Sequence, residues 1–201
     1  MSEHEQSARP DRLLWIDIET GGLDPLTNPI LEVEMRITDL RGSSETLDSD
    51  HWIVDPEGGK ASTIDPWALE HHSRNGLLDA VRTEGMSRAG TMGSIYGFLG
   101  TYSKDFVLHP AGSSVHFDLD FLTTQHQLIP GLLSHQWLDI TSLRLALRTI
   151  NPALLDDISS RSPKTDHRTK HCLDRDLAEY RMMLAAFNPA MPADPWDGGR
   201  R

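Results

Sequence analysis

The chain has a single cysteine, Cys172, among its 201 residues, so it cannot form an internal disulfide. Nothing in that usage points to an oxidising compartment. A basic excess is also lacking: 19 Lys and Arg stand against 30 Asp and Glu, for a net charge of −11. Proteins that grip long nucleic acid by charge alone need a basic face to displace phosphate counterions, and this composition excludes that class. No apolar run approaches the roughly 18 residues of a membrane span. The stretch from Met1 to Pro10 is polar and acidic, without the apolar centre of a signal peptide. A cytoplasmic protein with no membrane partner is the expectation. What remains is an acidic chain of ordinary domain size, long enough to bury about 70% of its unfolded surface without staples.

The apolar pattern organises the rest. Leu13-Leu14-Trp15-Ile16-Asp17-Ile18 closes on Glu19-Thr20-Gly21-Gly22, which predicts a buried central strand entering a glycine turn. Residues 29–39, 51–54 and 106–108 predict further strands. Asp65-Pro66 predicts a helix start, with a capping residue and then proline at the first helical position. Leu77, Leu78 and Val81 mark a second short helix. Others are predicted over 87–102, 115–127 and from Trp137 through Ile150, the last ended by Asn151-Pro152. The final helix, 171–187, has Leu173, Leu177, Tyr180 and Leu184 as its inner stripe. The polar, proline-broken segment 159–170 reads as a mobile loop. Residues 1–11 read as a polar leader, 12–187 as the domain and 188–201 as a disordered tail. Strands come first and then alternate with helices, so the class is α/β.

Asp17 and Glu19 pose the first chemical question. Residues two apart on a strand share a face, so both carboxylates project from one side of the sheet's rim. Like charges that close repel, and a hard divalent cation with oxygen ligands resolves the repulsion. Two solvated acids at a strand end are the plain alternative. Asp118 lies on an amphipathic helix whose phenylalanines, Phe117 and Phe121, take the core. His171 and Asp176 open the last helix; five residues is roughly 500° of rotation, so they do not share a stripe. They reach one site only if His171 lies in the loop or first turn.

Taken in order, these motifs resemble the DEDDh 3′→5′ exonucleases, and within them the oligoribonuclease branch. The stretches that carry the likeness are Trp15 through Pro25, Trp67 through Val81, Phe117 through Leu122, Leu138 through Leu143, and His171 through Asp176. The resemblance implies a ribonuclease-H-like α/β fold, with a central mixed β-sheet flanked by α-helices. It implies two Mg²⁺ or Mn²⁺ ions held by Asp17, Glu19, Asp118 and Asp176, with His171 as general base. Two ions clamp the scissile phosphate, acidify a bound water and stabilise the leaving 3′ oxygen. An imidazole titrates close enough to neutrality to take that water's proton. The substrate implied is a short single-stranded oligonucleotide, RNA before DNA, and the assembly a homodimer. Thr20, Gly21, Leu23, Trp67, His72 and Ser114 match positions near substrate. Leu23 also reads as a turn residue packing on the core, and His72 as a surface histidine.

The likeness is incomplete. Gly112-Ser113-Ser114 stands where the branch usually has Gly-Asn-Ser. His135-Gln136-Trp137 stands where a tyrosine and an arginine precede the Leu-Asp pair. Without that arginine a bidentate phosphate partner is missing, and strict dinucleotide preference does not carry over. Two rivals remain: a DNA- or transfer-RNA-end-trimming relative, and a catalytically silent relative that only binds.

The other candidates have plainer readings. Adjacent His71 and His72 diverge by about 100° on a helix and lack a third zinc ligand at suitable spacing. His116, His126 and His135 read as surface or dimer contacts, and Trp15, Trp52 and Trp137 as core or interface. Cys172 reads as a reduced small residue at a helix start, with a lowered thiolate pKa as the alternative. Lys164, Arg168 and Lys170 form a basic patch beside His171, either a solvated loop or a phosphate guide.

Overall fold

A computed structural model of the protein describes residues 9–43, 45–56, 64–125 and 127–188. Most of the expected leader and tail, and His126, lie outside these residues. Six strands form one mixed sheet. They are β1 (Asp11–Thr20), β2 (Ile30–Thr38), β3 (Asp48–Asp55), β4 (Met86–Ser87), β5 (Val107–Gly112) and β6 (Leu138–Asp139), in the order β4-β3-β2-β1-β5-β6. β1 pairs antiparallel with β2 and parallel with β5. It therefore lies inside the sheet, as its apolar run predicts.

Alternation along β1 sets up both layers. Leu14, Ile16 and Ile18 face a core shared with α3 (Arg88–Tyr102) and α4 (Val115–Gln125), through Met92, Ile95, Leu99, Phe121 and Leu122. Leu13 and Trp15 face α5 (Ile140–Ile150) and α7 (Thr169–Phe187), through Ile140, Leu173, Leu177 and Tyr180. Two short helices, α1 (Pro66–Arg74) and α2 (Leu77–Glu84), pack beyond β2 and β3 through Leu77 and Val81.

The strands β1, β5 and β6 run parallel, so their C-terminal ends share one rim. In open α/β sheets that rim is where ligands bind. Each strand there enters a turn or helix: β1 the glycine turn, β5 the Gly112-Ser113-Ser114 turn into α4, and β6 directly α5.

Four expectations need correction. The helix ended by Asn151-Pro152 is followed by another, α6 (Pro152–Arg161). Pro152 takes the first helical position, where no N–H is needed, and Asn151 caps it by accepting from Leu154 N at 3.1 Å. The expected loop at 159–170 is correspondingly shorter, because α6 and α7 take its two ends. Asp11 already belongs to β1 rather than to a leader. Asp65 stands at the N-cap of α1 without a capping side-chain bond.

Candidate active site

Asp17 and Glu19 occupy the odd positions of β1, the face that α7 covers. Their carboxylate oxygens and the Cys172 sulfur lie within 4.8 Å of one another. Asp118, in the first turn of α4, and Asp176, in the second turn of α7, stand outside that tight group but act on it. Burial raises the Asp17 pKa well above the usual carboxylate range, and the charges of Asp118, Glu19 and Asp176 add to the effect. Glu19 is pushed up to about 8, first by burial and then by Glu32. Asp118 is raised by burial, although hydrogen bonds from backbone N–H groups oppose the rise. One of these is donated by Ile18 N, at 2.9 Å to Asp118 Oδ1, which ties α4 to the strand between Asp17 and Glu19.

Asp176 is 1% exposed, and its two oxygens differ. Oδ1 accepts from Ser113 Oγ at 2.7 Å and from Arg144 Nη2 at 2.8 Å. Oδ2 is buried without a hydrogen-bond partner, and so is Asp17 Oδ2. Buried carboxylate oxygens of this kind are costly unless a cation or a proton meets them. The carboxylate donors are hard oxygens, which suit a hard divalent cation. Burial and the neighbouring Asp17 push the Cys172 thiol up, so it stays protonated in the metal-free protein, and the lowered thiolate pKa is corrected.

His171 lies in the first turn of α7, half-exposed, with Nδ1 at 2.7 Å from Asp166 Oδ1. The start of α7 is held from β2. Glu32 accepts from Thr169 N at 3.2 Å, a cap supplied by another element, and takes a forked bond from Arg168. His51 Nε2 meets the same carboxylate at 2.8 Å. Thr169 Oγ1 donates to Glu34 at 3.2 Å. Within the basic patch, Arg168 pairs with Glu32, and Lys170, two-thirds exposed, pairs with Asp174.

The substrate-side candidates divide. Leu23 is 81% exposed on the turn, which removes its core-packing reading. Trp67 is exposed and stacked on His71 at 3.9 Å between ring centroids. Ser114 is partly buried, its hydroxyl 3.0 Å from Thr141 Oγ1. Thr20 and Gly21 are buried in the turn: Thr20 Oγ1 donates to Gly22 O at 2.6 Å, and Gly21 N donates to Pro29 O at 2.8 Å. His72 is 1% exposed, which corrects its reading as a surface histidine, and its Nδ1 is buried without a hydrogen-bond partner. Burial lowers its pKa, and the neutral ring donates from Nε2 to Thr20 O at 3.0 Å. Trp137, His116 and His135 are exposed, whereas Trp15 and Trp52 are core.

Arg144, Glu32 and Asp166 contact the candidate residues or the start of α7, and the motifs do not single them out; Ser113 stands out in the sequence only as a departure from the Gly-Asn-Ser run. The spacing of Ile140, Arg144 and Leu147 puts a charge on the apolar face of α5, which is a signal that a buried acid must meet it.

No family model matches the chain. Over 187 residues it is 25% identical to an oligoribonuclease of Alkalilimnicola ehrlichii, covering 93% of this chain and 94% of that one. It is 27% identical over 147 residues to an oligoribonuclease of Vibrio parahaemolyticus, covering 73% and 81%. Among solved structures, the zinc-bound complex of E. coli exonuclease I with single-stranded DNA matches 90% of this chain with a TM-score of 0.62 and 14% identity. This chain spans 42% of that one. The shared fold is the ribonuclease-H-like α/β fold. Among the described residues no helix is long and apolar enough to cross a membrane.

Proposed function

We propose that this chain, a relative of the oligoribonucleases on the fold of exonuclease I, is a metal-dependent 3′→5′ exonuclease. Its substrates are short single-stranded oligonucleotides, RNA before DNA, its products nucleoside 5′-monophosphates, and its assembly a homodimer. The observation that carries the reading is the pair of buried, unpartnered oxygens, Asp17 Oδ2 and Asp176 Oδ2, within a set of four acids. A chain that merely binds has no need to hold repelling carboxylates together in a dry site.

Asp17, Glu19, Asp118 and Asp176 would hold two Mg²⁺ or Mn²⁺ ions. When bound, such ions supply charge stabilisation to the phosphate and acidify a water. The protein's own contribution is arrangement. Arg144 and Ser113 fix Asp176 through Oδ1 and leave Oδ2 without a partner, while Ile18 N orients Asp118. His171, at the open end of α7, takes the proton of the attacking water. Leu23 and Trp67, both exposed, meet the bases, and Ser114 offers its hydroxyl beside the β5 turn.

The net charge of −11 fits this reading. A site that holds a chain by its 3′ end needs no long basic groove. The test is digestion of end-labelled RNA and DNA ladders, from dinucleotides upward, with Mn²⁺. Stepwise loss from the 3′ end, abolished by Asp17→Ala, is expected. Accumulating dinucleotides would remove the oligoribonuclease assignment, and preference for DNA or transfer-RNA ends would favour the trimming relative. An active Asp17→Ala enzyme would overturn the site.

A further inference from the structure

The segment between α6 and α7 contains a carboxylate aimed at the candidate base. Asp166 Oδ1 lies 2.7 Å from His171 Nδ1, and both side chains are about half-exposed, at 51% and 45%. The residues around Asp166 are fixed by contacts that do not use its side chain. Asn75, which closes α1, donates from Nδ2 to the carbonyls of Asp166 at 3.0 Å and His167 at 2.6 Å. The His167 ring stands edge-on to Trp67 and to His71, each at 5.7 Å. His167 itself has φ 59°, a left-handed conformation uncommon outside glycine, which contacts on both sides keep in place. His167 N also donates to Thr165 Oγ1 at 3.2 Å. An exposed aspartate between two such anchors has its carboxylate delivered to the first turn of α7.

We propose that Asp166 is the positioning residue of His171, the two forming a carboxylate–imidazole dyad. This rests on His171 being the base. An ionised carboxylate only accepts hydrogen bonds, so Nδ1 carries the hydrogen and Nε2 keeps its lone pair. Nε2 then takes a proton from water, the water oxygen bonds to phosphorus, and the bond from phosphorus to the 3′ oxygen breaks. The leaving oxygen takes a proton from solvent, and the imidazolium, steadied by Asp166, returns its own to solvent. The bland rival is a surface ion pair that leaves turnover unchanged. A second rival is a latch that parks His171 away from the acids.

The full chain with an end-labelled RNA oligomer and Mn²⁺ separates these. Asp166→Asn should lower kcat about tenfold, less than the roughly 10²–10⁴ of a whole general base because solvent partly replaces the carboxylate. KM for the oligomer and Mn²⁺ affinity by calorimetry should not change. Ring ¹⁵N shifts of neutral His171 in the metal-free protein should report the Nδ1-protonated tautomer, and Asp166→Asn should mix the tautomers. Asp166→Asn added to His171→Ala should change kcat no further. Unchanged or faster turnover in Asp166→Asn, or an Nε2-protonated His171 in the wild type, overturns the dyad. If His171→Ala is inactive while Asp166→Asn keeps its full kcat, the dyad alone fails. If His171→Ala keeps its full kcat, the base reading fails and takes the dyad with it.

Discussion

Arg144 on α5 donates to Asp176 Oδ1 on α7 at 2.8 Å, and the same guanidinium donates from Nε to Glu179 Oε2 at 2.6 Å. One cation thus serves two buried acids on successive turns of a neighbouring helix. Arg144→Met leaves both carboxylates buried without it, and breaking a buried pair from one side costs about 3–5 kcal/mol. The variant should therefore melt well below the wild type. A divalent cation restores positive charge at Asp176, so the thermal upshift on adding Mn²⁺ should be larger in Arg144→Met than in the wild type. Melting curves with and without Mn²⁺ measure both effects; an equal or smaller upshift would detach Arg144 from the acid cluster.

How much of this is legible in the sequence depends on whether the partner is local. The shared face of Asp17 and Glu19 follows from strand alternation alone, and β1 delivers it. Glu32 and Glu34 alternate in the same way against Val33 and Met35, which makes them look like a solvent face. They are buried because α7, more than a hundred residues later, lies over them. No local pattern states which face a distant helix covers. Pro152 fails for a different reason. Proline stops a helix in progress and equally opens a new one, and the two outcomes differ only by the Asn151 cap. Asp166 sits in a polar segment whose composition suggests mobility, yet Asn75 and His167 hold it through contacts that spacing does not reveal.

Metal binding should depend steeply on pH. Glu19 holds a proton in the folded, metal-free protein up to about 8, against an ordinary value of 4.5. A cation must displace that proton, so affinity falls as pH drops below 8 and proton release accompanies binding. Calorimetric titration with Mn²⁺ in buffers of different ionisation enthalpy measures the release directly. Glu19→Gln should bind Mn²⁺ more weakly at every pH and with fewer protons released. Binding that is flat between pH 6 and about 8.5 would be inconsistent with Glu19 as a ligand.

Glu32 predicts the opposite slope. Burial alone would raise its pKa, but hydrogen bonds from His51, Arg168 and Thr169 outweigh burial and hold it at about 2, against an ordinary 4.5. A carboxylate lowered on folding contributes stability above its unfolded value and loses it as pH falls through the folded one. The difference is on the order of 3 kcal/mol, from about 1.4 kcal/mol per unit. Glu32→Gln should lower the urea midpoint at pH 7, and the gap from wild type should narrow as pH drops below 4.5. A gap independent of pH would mean that Glu32 acts by packing rather than by charge.

Gly112 tests whether the rim itself is built to tolerance. It ends β5 beside β1, and a Cβ there would stand 2.6 Å from the Ile16 carbonyl oxygen, with φ 157°. That oxygen belongs to central backbone and cannot swing aside as a long side chain does, so the strands must part. The next two residues are Ser113, which donates to Asp176, and Ser114, whose φ of 55° already places its N–H on Asp139 at 2.8 Å. A shift of β5 therefore moves the Asp176 clamp and the Asp17 end of β1 apart. Gly112→Ala should cost about 1–3 kcal/mol, the usual range for overpacking. Its remaining folded fraction should bind Mn²⁺ more weakly, while Gly97→Ala, whose Cβ meets nothing within 4 Å, should match the wild type in both. Weakened Mn²⁺ binding with an unchanged melting temperature would place the effect of Gly112 in the turn rather than in the strand contact.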